Sequence, residues 1–350
     1  MQALAERGLN VYAIDLLGQG KSWPTGVTGE DRLCYSVELW RDQLVGFVDD
    51  VIQRPVHIAG NSLGGYLAVS ASSHRPDLVQ SVALLNSAPF WGFAKGGGAG
   101  PEEQLFPFNL WNGTLPAPQS ILRFGSAYFD VMRSPTTIKT MLQGVYKEPS
   151  AFNDSLVDRI IEAASQEGGF VAFTSILFSP KLGRSFDALL ADLRQAGTPV
   201  CLVYGRDDPW IVPYWGQRAK SVLQEMGTYF ELQGAGHCPH HESPETVNTI
   251  LNSWVDTVES GLGLGLGLGA HRDGEQVSIH PSLKALANAN PNPKPNPNLS
   301  MHPSLKALAG SYQEPRTQAK IQVELVDGQP RSLWEKVLFI FDRLRRSREE

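Results

Sequence analysis

Apolar residues along this chain follow two rhythms. Short, nearly uninterrupted apolar runs stand at residues 56–59 (VHIA), 81–85 (SVALL), 200–204 (VCLVY) and 228–232 (TYFEL), with a further β-rich run at 10–15 (NVYAID). Strands of this kind are buried on both faces, as in a parallel sheet covered by helices. Between them, Leu39, Leu44, Phe47, Val48 and Val51 recur at helical spacing. The alternation predicts an α/β fold built on a mostly parallel sheet.

From about residue 90 to 195 the strand signal disappears. The stretch opens rich in aromatics, Gly and Pro, then turns to helical patterns. It reads as a helical cap, residues 91–195, inserted into an α/β core formed by residues 1–90 and 196–260. Such insertions commonly select substrate. After Trp254 the character changes again. Residues 261–269 alternate Gly and Leu, residues 288–298 are almost wholly Asn and Pro, and HPSLKALA occurs twice, at 280–287 and 302–309. Residues 261–318 are therefore expected to be a disordered linker. Residues 319–350 are expected to be an amphipathic helical segment, with Leu333, Trp334, Val337, Leu338, Phe341 and Leu344 on one face and Arg343, Arg345, Arg346 and Arg348 following. Docking on its own domain is favoured over an anionic membrane surface.

Composition narrows the function. The 350 residues are 42% hydrophobic and 19% charged, with a formal net charge of -6, a balance that speaks against a nucleic-acid partner. No run of about 18 apolar residues suggests a membrane span. Three scattered cysteines (Cys34, Cys201, Cys238) do not form a disulfide pattern and fit a reducing compartment.

Candidate chemistry begins at Gly60-Asn61-Ser62-Leu63-Gly64, a G-x-S-x-G motif directly after a strand and before a helix-compatible segment. There a tight turn exposes the serine hydroxyl, the flanking glycines are expected for steric reasons, and the N–H of Leu63 becomes a natural oxyanion donor. A serine hydroxyl needs a base and a group that orients the base. Strand VCLVY runs into Gly205-Arg206-Asp207-Asp208, and strand TYFEL into Gly234-Ala235-Gly236-His237. The base is then His237. Either aspartate could orient it; Asp208, three residues after the glycine, is preferred and Asp207 is the alternative. Competing readings are weaker. His237, His240, His241 and Glu242 could suggest zinc, but Pro239 breaks the helix that an H-E-x-x-H site needs, so no metal or cofactor is expected. Cys238 is adjacent to the histidine, where productive facing is rare. Gly18-Gln19-Gly20-Lys21-Ser22 ends like a phosphate loop but has Asp15 where the first glycine belongs. Two sequons, at Asn112 and Asn153, come without any sign of secretion.

The motifs DLLGQGKS (15–22), LWRDQ (39–43), IAGNSLGGY (58–66), LLNSAPFWGF (84–93), YGRDDPW (204–210) and GAGHCPHHESPE (234–245) run in this order. Together they closely resemble the pheophytinases, α/β-hydrolases of plant and algal plastids, over residues 10–254. The resemblance implies hydrolysis of the phytyl ester of pheophytin, with Ser62 as nucleophile, His237 as base and Asp208 as orienter. It also implies a chloroplast location and a possible peripheral contact with the thylakoid membrane. The aromatics Phe90, Trp91, Phe93 and Trp210, with Phe106, Phe108, Trp111 and Trp215, suit a bulky apolar ester. A complete α/β-hydrolase carries earlier strands and a His-Gly loop with a second oxyanion donor. Residues 1–9 hold no such loop, so the chain is expected to be incomplete at its front.

Overall fold

A computed structural model describes residues 1–22, 35–89, 119–166, 168–178, 184–260, 303–315, 317 and 319–326. A short α1 (Gln2–Ala5) is followed by α2 (Val37–Gly46), β1 (Val56–Asn61), α3 (Leu63–His74) and β2 (Val79–Leu85). Helices α4 (Gln119–Met132), α5 (Pro135–Val145), α6 (Asp154–Ala164), α7 (Gly169–Phe178) and α8 (Phe186–Ala196) precede β3 (Val200–Gly205), α9 (Pro213–Leu223) and β4 (Gly227–Gln233). Then come α10 (Pro239–Glu242), α11 (Pro244–Glu259), α12 (Pro303–Lys306), β5 (Gly310–Gln313) and β6 (Lys320–Val326).

Strands β1 to β4 pair in parallel in chain order, and the sheet runs β1-β2-β3-β4-β6-β5. In β2, β3 and β4 the continuous apolar runs reflect burial on both faces, whereas β1, at the end of the described sheet, is only partly buried, against expectation. In β2, Val82 and Leu84 enter one core while Ala83 and Leu85 enter the other; in β3, Leu202 and Tyr204 oppose Cys201 and Val203. Trp40, Leu67, Leu190 and Leu193 from α2, α3 and α8 cover the first face, and Val247, Ile250 and Trp254 from α11 cover the second. Fully burying side chains of this size contributes about 1.5–3 kcal/mol each. Local signals start the helices where the periodicity does. Ser36, Asn153 and Ser185 cap α2, α6 and α8 by accepting from the N–H of Leu39, Leu156 and Ala188. Gly197, at φ 74°, ends α8 in the left-handed conformation that glycine adopts without steric cost.

Several expectations need correction. Residues 10–15 form no strand. Tyr12 instead lies edge-on to Phe47 with ring centroids 5.9 Å apart. A run rich in β-formers becomes a strand only when it pairs, and residues 10–15 pair with no strand of the described sheet. Val51, expected on the apolar helical face, is exposed. Helix α8, inside the expected cap, packs on α3 and α9 and so covers the sheet. The insertion thus ends before Phe186 rather than at 195.

The largest correction concerns residues 303–326, expected to be disordered up to 318 and helical from 319. They form α12 and a β5–β6 hairpin whose β6 pairs antiparallel with β4. Ile321 and Val323 alternate into the second core, joined by Leu305 and Leu308 from the second copy of the repeated segment. Burial of those four apolar side chains, with the backbone bonds of the β4 edge, outweighs the polar composition next to them. The amphipathic pattern at 333–348 lies outside the described residues.

Candidate active site

All three residues singled out for chemistry stand beyond the carboxyl ends of strands, where a parallel sheet leaves a crevice. Ser62 follows β1 directly and opens α3 with φ 53° and ψ -120°. A non-glycine residue there stores about 1–3 kcal/mol of strain. The turn is fixed on both sides: Ser62 N donates to the Leu85 carbonyl at 3.1 Å, and its own carbonyl accepts from Ala88 N at 3.0 Å. A side chain at Gly60 would put its Cβ 2.3 Å from the Gly64 backbone, so that glycine is sterically required. The expectation for Gly64 needs correction, because a Cβ there meets nothing within 4 Å. The second tight position is Gly65, whose Cβ would lie 2.5 Å from the Ser87 hydroxyl. Leu63 is the first residue of α3, and its N–H has no intrahelical acceptor. The positive end of a twelve-residue helix therefore faces any charge developing beside Ser62.

Asp208 and His237 are brought together. His237 Nδ1 lies 2.7 Å from Asp208 Oδ2, and both side chains are buried. The carboxylate is fully partnered: Oδ1 accepts from the N–H of Trp210 at 2.7 Å and of Ile211 at 3.0 Å, and Oδ2 also from the Asn86 amide at 2.8 Å. A carboxylate only accepts, so the proton lies on Nδ1 and Nε2 is the basic nitrogen of the neutral ring. Asp207 serves elsewhere, accepting from Gly234 N at 2.9 Å. Between the two, the geometry favours Asp208.

Two asparagines that carried no role in the sequence join these loops. Asn86, at φ 41° just beyond β2, also accepts from Gly205 N at 2.8 Å, tying β2 to the acid turn. Asn61, beside the serine, donates to the Leu85 and His237 carbonyls at 2.9 and 3.0 Å. A signal for Asn86 did exist, since Asn directly after a buried strand tolerates positive φ. Glu242 was also missed in this role. Its buried carboxylate accepts from Gly236 and Cys238 on one side and from Lys147 and Glu148 on the other. Burial raises its carboxyl above the ordinary range, while those four bonds pull the other way.

The residues behind the competing chemistry are engaged in structural contacts. Of the HCPHHE cluster, His237 bonds Asp208, His241 Nδ1 lies 3.0 Å from the Tyr146 hydroxyl, and Glu242 is taken up by backbone N–H groups. Burial pushes the Cys238 thiol up to about 11, which keeps it protonated near neutral pH. The Gly18–Ser22 turn closes on itself, Gly18 N donating to the Ser22 carbonyl and Lys21 N to Asp15.

Of the aromatics, Trp210 is 52% exposed, with its ring 5.4 Å from the His237 imidazole. Trp215 needs correction: it is buried in the first core, where it packs beside Arg218 instead of lining a crevice. Phe90, Trp91, Phe93, Phe106, Phe108 and Trp111 lie outside the described residues.

The chain is 37% identical over 280 residues to the chloroplastic pheophytinase of Arabidopsis thaliana, covering 73% of this chain and 57% of the length of that protein. It is 26% identical over 276 residues to a human (lyso)-N-acylphosphatidylethanolamine lipase, covering 74% of this chain and 75% of that one. The serine hydrolase CCSP0084 of Cycloclasticus zankles has a TM-score of 0.50 at 16% identity, covering 71% of this chain and 78% of that one, a likeness of fold. The alpha/beta hydrolase family model matches residues 1–250, and the chain belongs to that family.

Proposed function

We propose that this chain is a serine carboxylic-ester hydrolase that removes phytol from pheophytin. The observation that carries the chemistry is the buried Asp208–His237 pair at 2.7 Å, with the strained Ser62 turn joined to it through Asn61. Likeness to the Arabidopsis pheophytinase supports the substrate. Ser62 Oγ attacks the ester carbonyl while His237 Nε2 takes its proton. The N–H of Leu63 donates to the oxyanion, a contact of a kind whose removal costs about 10²–10³-fold in rate. His237 returns the proton to phytol as the carbon–oxygen bond breaks. Water then attacks the acyl-enzyme, with His237 again as base, and releases pheophorbide.

Exposed Trp210 beside the imidazole offers a flat apolar surface to the ester, and Phe90, Trp91 and Phe93 are proposed to extend it. The same likeness leads us to place the reaction in the chloroplast, with peripheral thylakoid contact as the route to an apolar substrate. A lipid ester is the second reading, favoured by the likeness to the human lipase. Side-by-side chromatographic assays with pheophytin, chlorophyll and a phospholipid ester separate these. The expected result is pheophorbide and free phytol from pheophytin, abolished in Ser62→Ala. Turnover of the phospholipid with pheophytin left intact would favour the second reading, and activity retained in Ser62→Ala would refute both.

A further inference from the structure

Glu242, the last residue of the HCPHHE motif, takes no part in the reaction above, yet it touches both sides of the site. Its Oε1 accepts from Gly236 N at 3.0 Å and Cys238 N at 3.3 Å, the two residues that flank His237. Its Oε2 accepts from Lys147 N at 2.7 Å and Glu148 N at 3.1 Å, which follow α5 in the helical insertion. His237 N itself donates to the Val145 carbonyl at 2.9 Å. Gly236 makes this approach possible, because a Cβ there would lie 2.5 Å from the Val145 oxygen and 2.8 Å from Lys147 N. The loop that presents the base is thus bonded to the insertion through its backbone, with one buried carboxylate bridging four N–H groups.

We infer that Glu242 is a positioning residue that holds the His237 loop in register with the end of α5, so that docking of the insertion sets the imidazole against Ser62. The inference rests on His237 as the base. A carboxylate supplies acceptors in both directions, which a neutral amide cannot do: Gln at this position has one oxygen and one NH2, so one of the two N–H pairs would face a donor. Either the His loop or the insertion would then lose its anchor. Small displacements of a catalytic group cost rate far more than they cost binding, about 10²-fold for a shift of 1 Å.

The test compares Glu242→Gln and Gly236→Ala with wild type, and uses Trp254→Phe as a control for general loss of stability. Trp254 is buried on α11, where its indole bonds Ser81. Two readouts are taken from the full chain. One is kcat and KM on p-nitrophenyl butyrate, per serine reactive toward a fluorophosphonate. The other is the far-downfield proton resonance of His237 Nδ1–H, which needs no turnover. Glu242→Gln and Gly236→Ala are expected to lower kcat by roughly 10- to 100-fold with KM within about threefold, and to broaden the resonance. Trp254→Phe is expected to lower the unfolding midpoint while keeping both readouts. A sharp resonance and a kcat within about twofold of wild type in Glu242→Gln would overturn the inference. So would a loss of kcat in Trp254→Phe equal to that in Glu242→Gln. If wild type turns over no ester, the reading of the site as catalytic fails, and the resonance alone still decides whether Glu242 holds the histidine.

Discussion

Asp207 and Asp208 are neighbours on one turn, and their chemistry diverges because their oxygens meet different donors. Asp208 receives the imidazole and three N–H groups in a fully buried position, whereas Asp207 holds the start of the histidine loop through Gly234 N. Asp208→Asn keeps the shape but presents an amide, which favours the wrong imidazole tautomer. It should reduce kcat by about 10⁴-fold, by analogy with the same change in the serine protease triad. Asp207→Asn keeps an oxygen that can accept from Gly234 N and should cost less than about tenfold. Steady-state kinetics of the two variants under one set of conditions checks this, and the opposite ranking would move the acid to Asp207.

Elements differ in how plainly they could be read in advance. Strands β2 and β3 were legible because burial on both faces makes every position apolar, from Val82 to Leu85 and from Val200 to Val203. The candidates Ser62, Asp208 and His237 could be picked out because each closely follows a strand, with serine, acid and histidine in the chain order usual for this fold. Residues 10–15 misled, since β-forming composition alone cannot say whether a run will pair with a neighbour. Strand β6 was missed although Ile321, Val323 and Leu325 do alternate, because the helical pattern at 333–348 was extended back to residue 319. Asn86 reaches Asp208 and Glu242 reaches Lys147 and Glu148, each more than 90 residues away, and no local pattern names such partners. The packing of α12 gives an element-scale prediction. Leu305 is fully buried in the second core, so Leu305→Ala should destabilise the protein by about 2–5 kcal/mol in urea unfolding. A cost near zero would mean that this helix does not pack there.

Across the whole molecule, the hairpin joins the sheet to the acid turn. Arg206, two residues before Asp208, bonds fully buried Glu231 on β4 and Glu324 on β6, both at 2.5 Å. Buried Glu314 accepts from the N–H of Glu245 and Thr246 at the start of α11. A chain ending at residue 260 would lose these contacts, uncover part of the second core and free the edge of β4, an invitation to pairing between molecules. It should aggregate on size-exclusion chromatography and unfold at lower temperature than the full chain. An unchanged melting temperature and a clean monomer peak would show that the hairpin adds little. If three strand ends converge to activate one hydroxyl, fluorophosphonate labelling followed by peptide mass spectrometry will find it. A single modified residue, Ser62, is expected, with labelling strongly slowed in Asp208→Asn. A folded sample left unlabelled, or labelled at another serine, would contradict it.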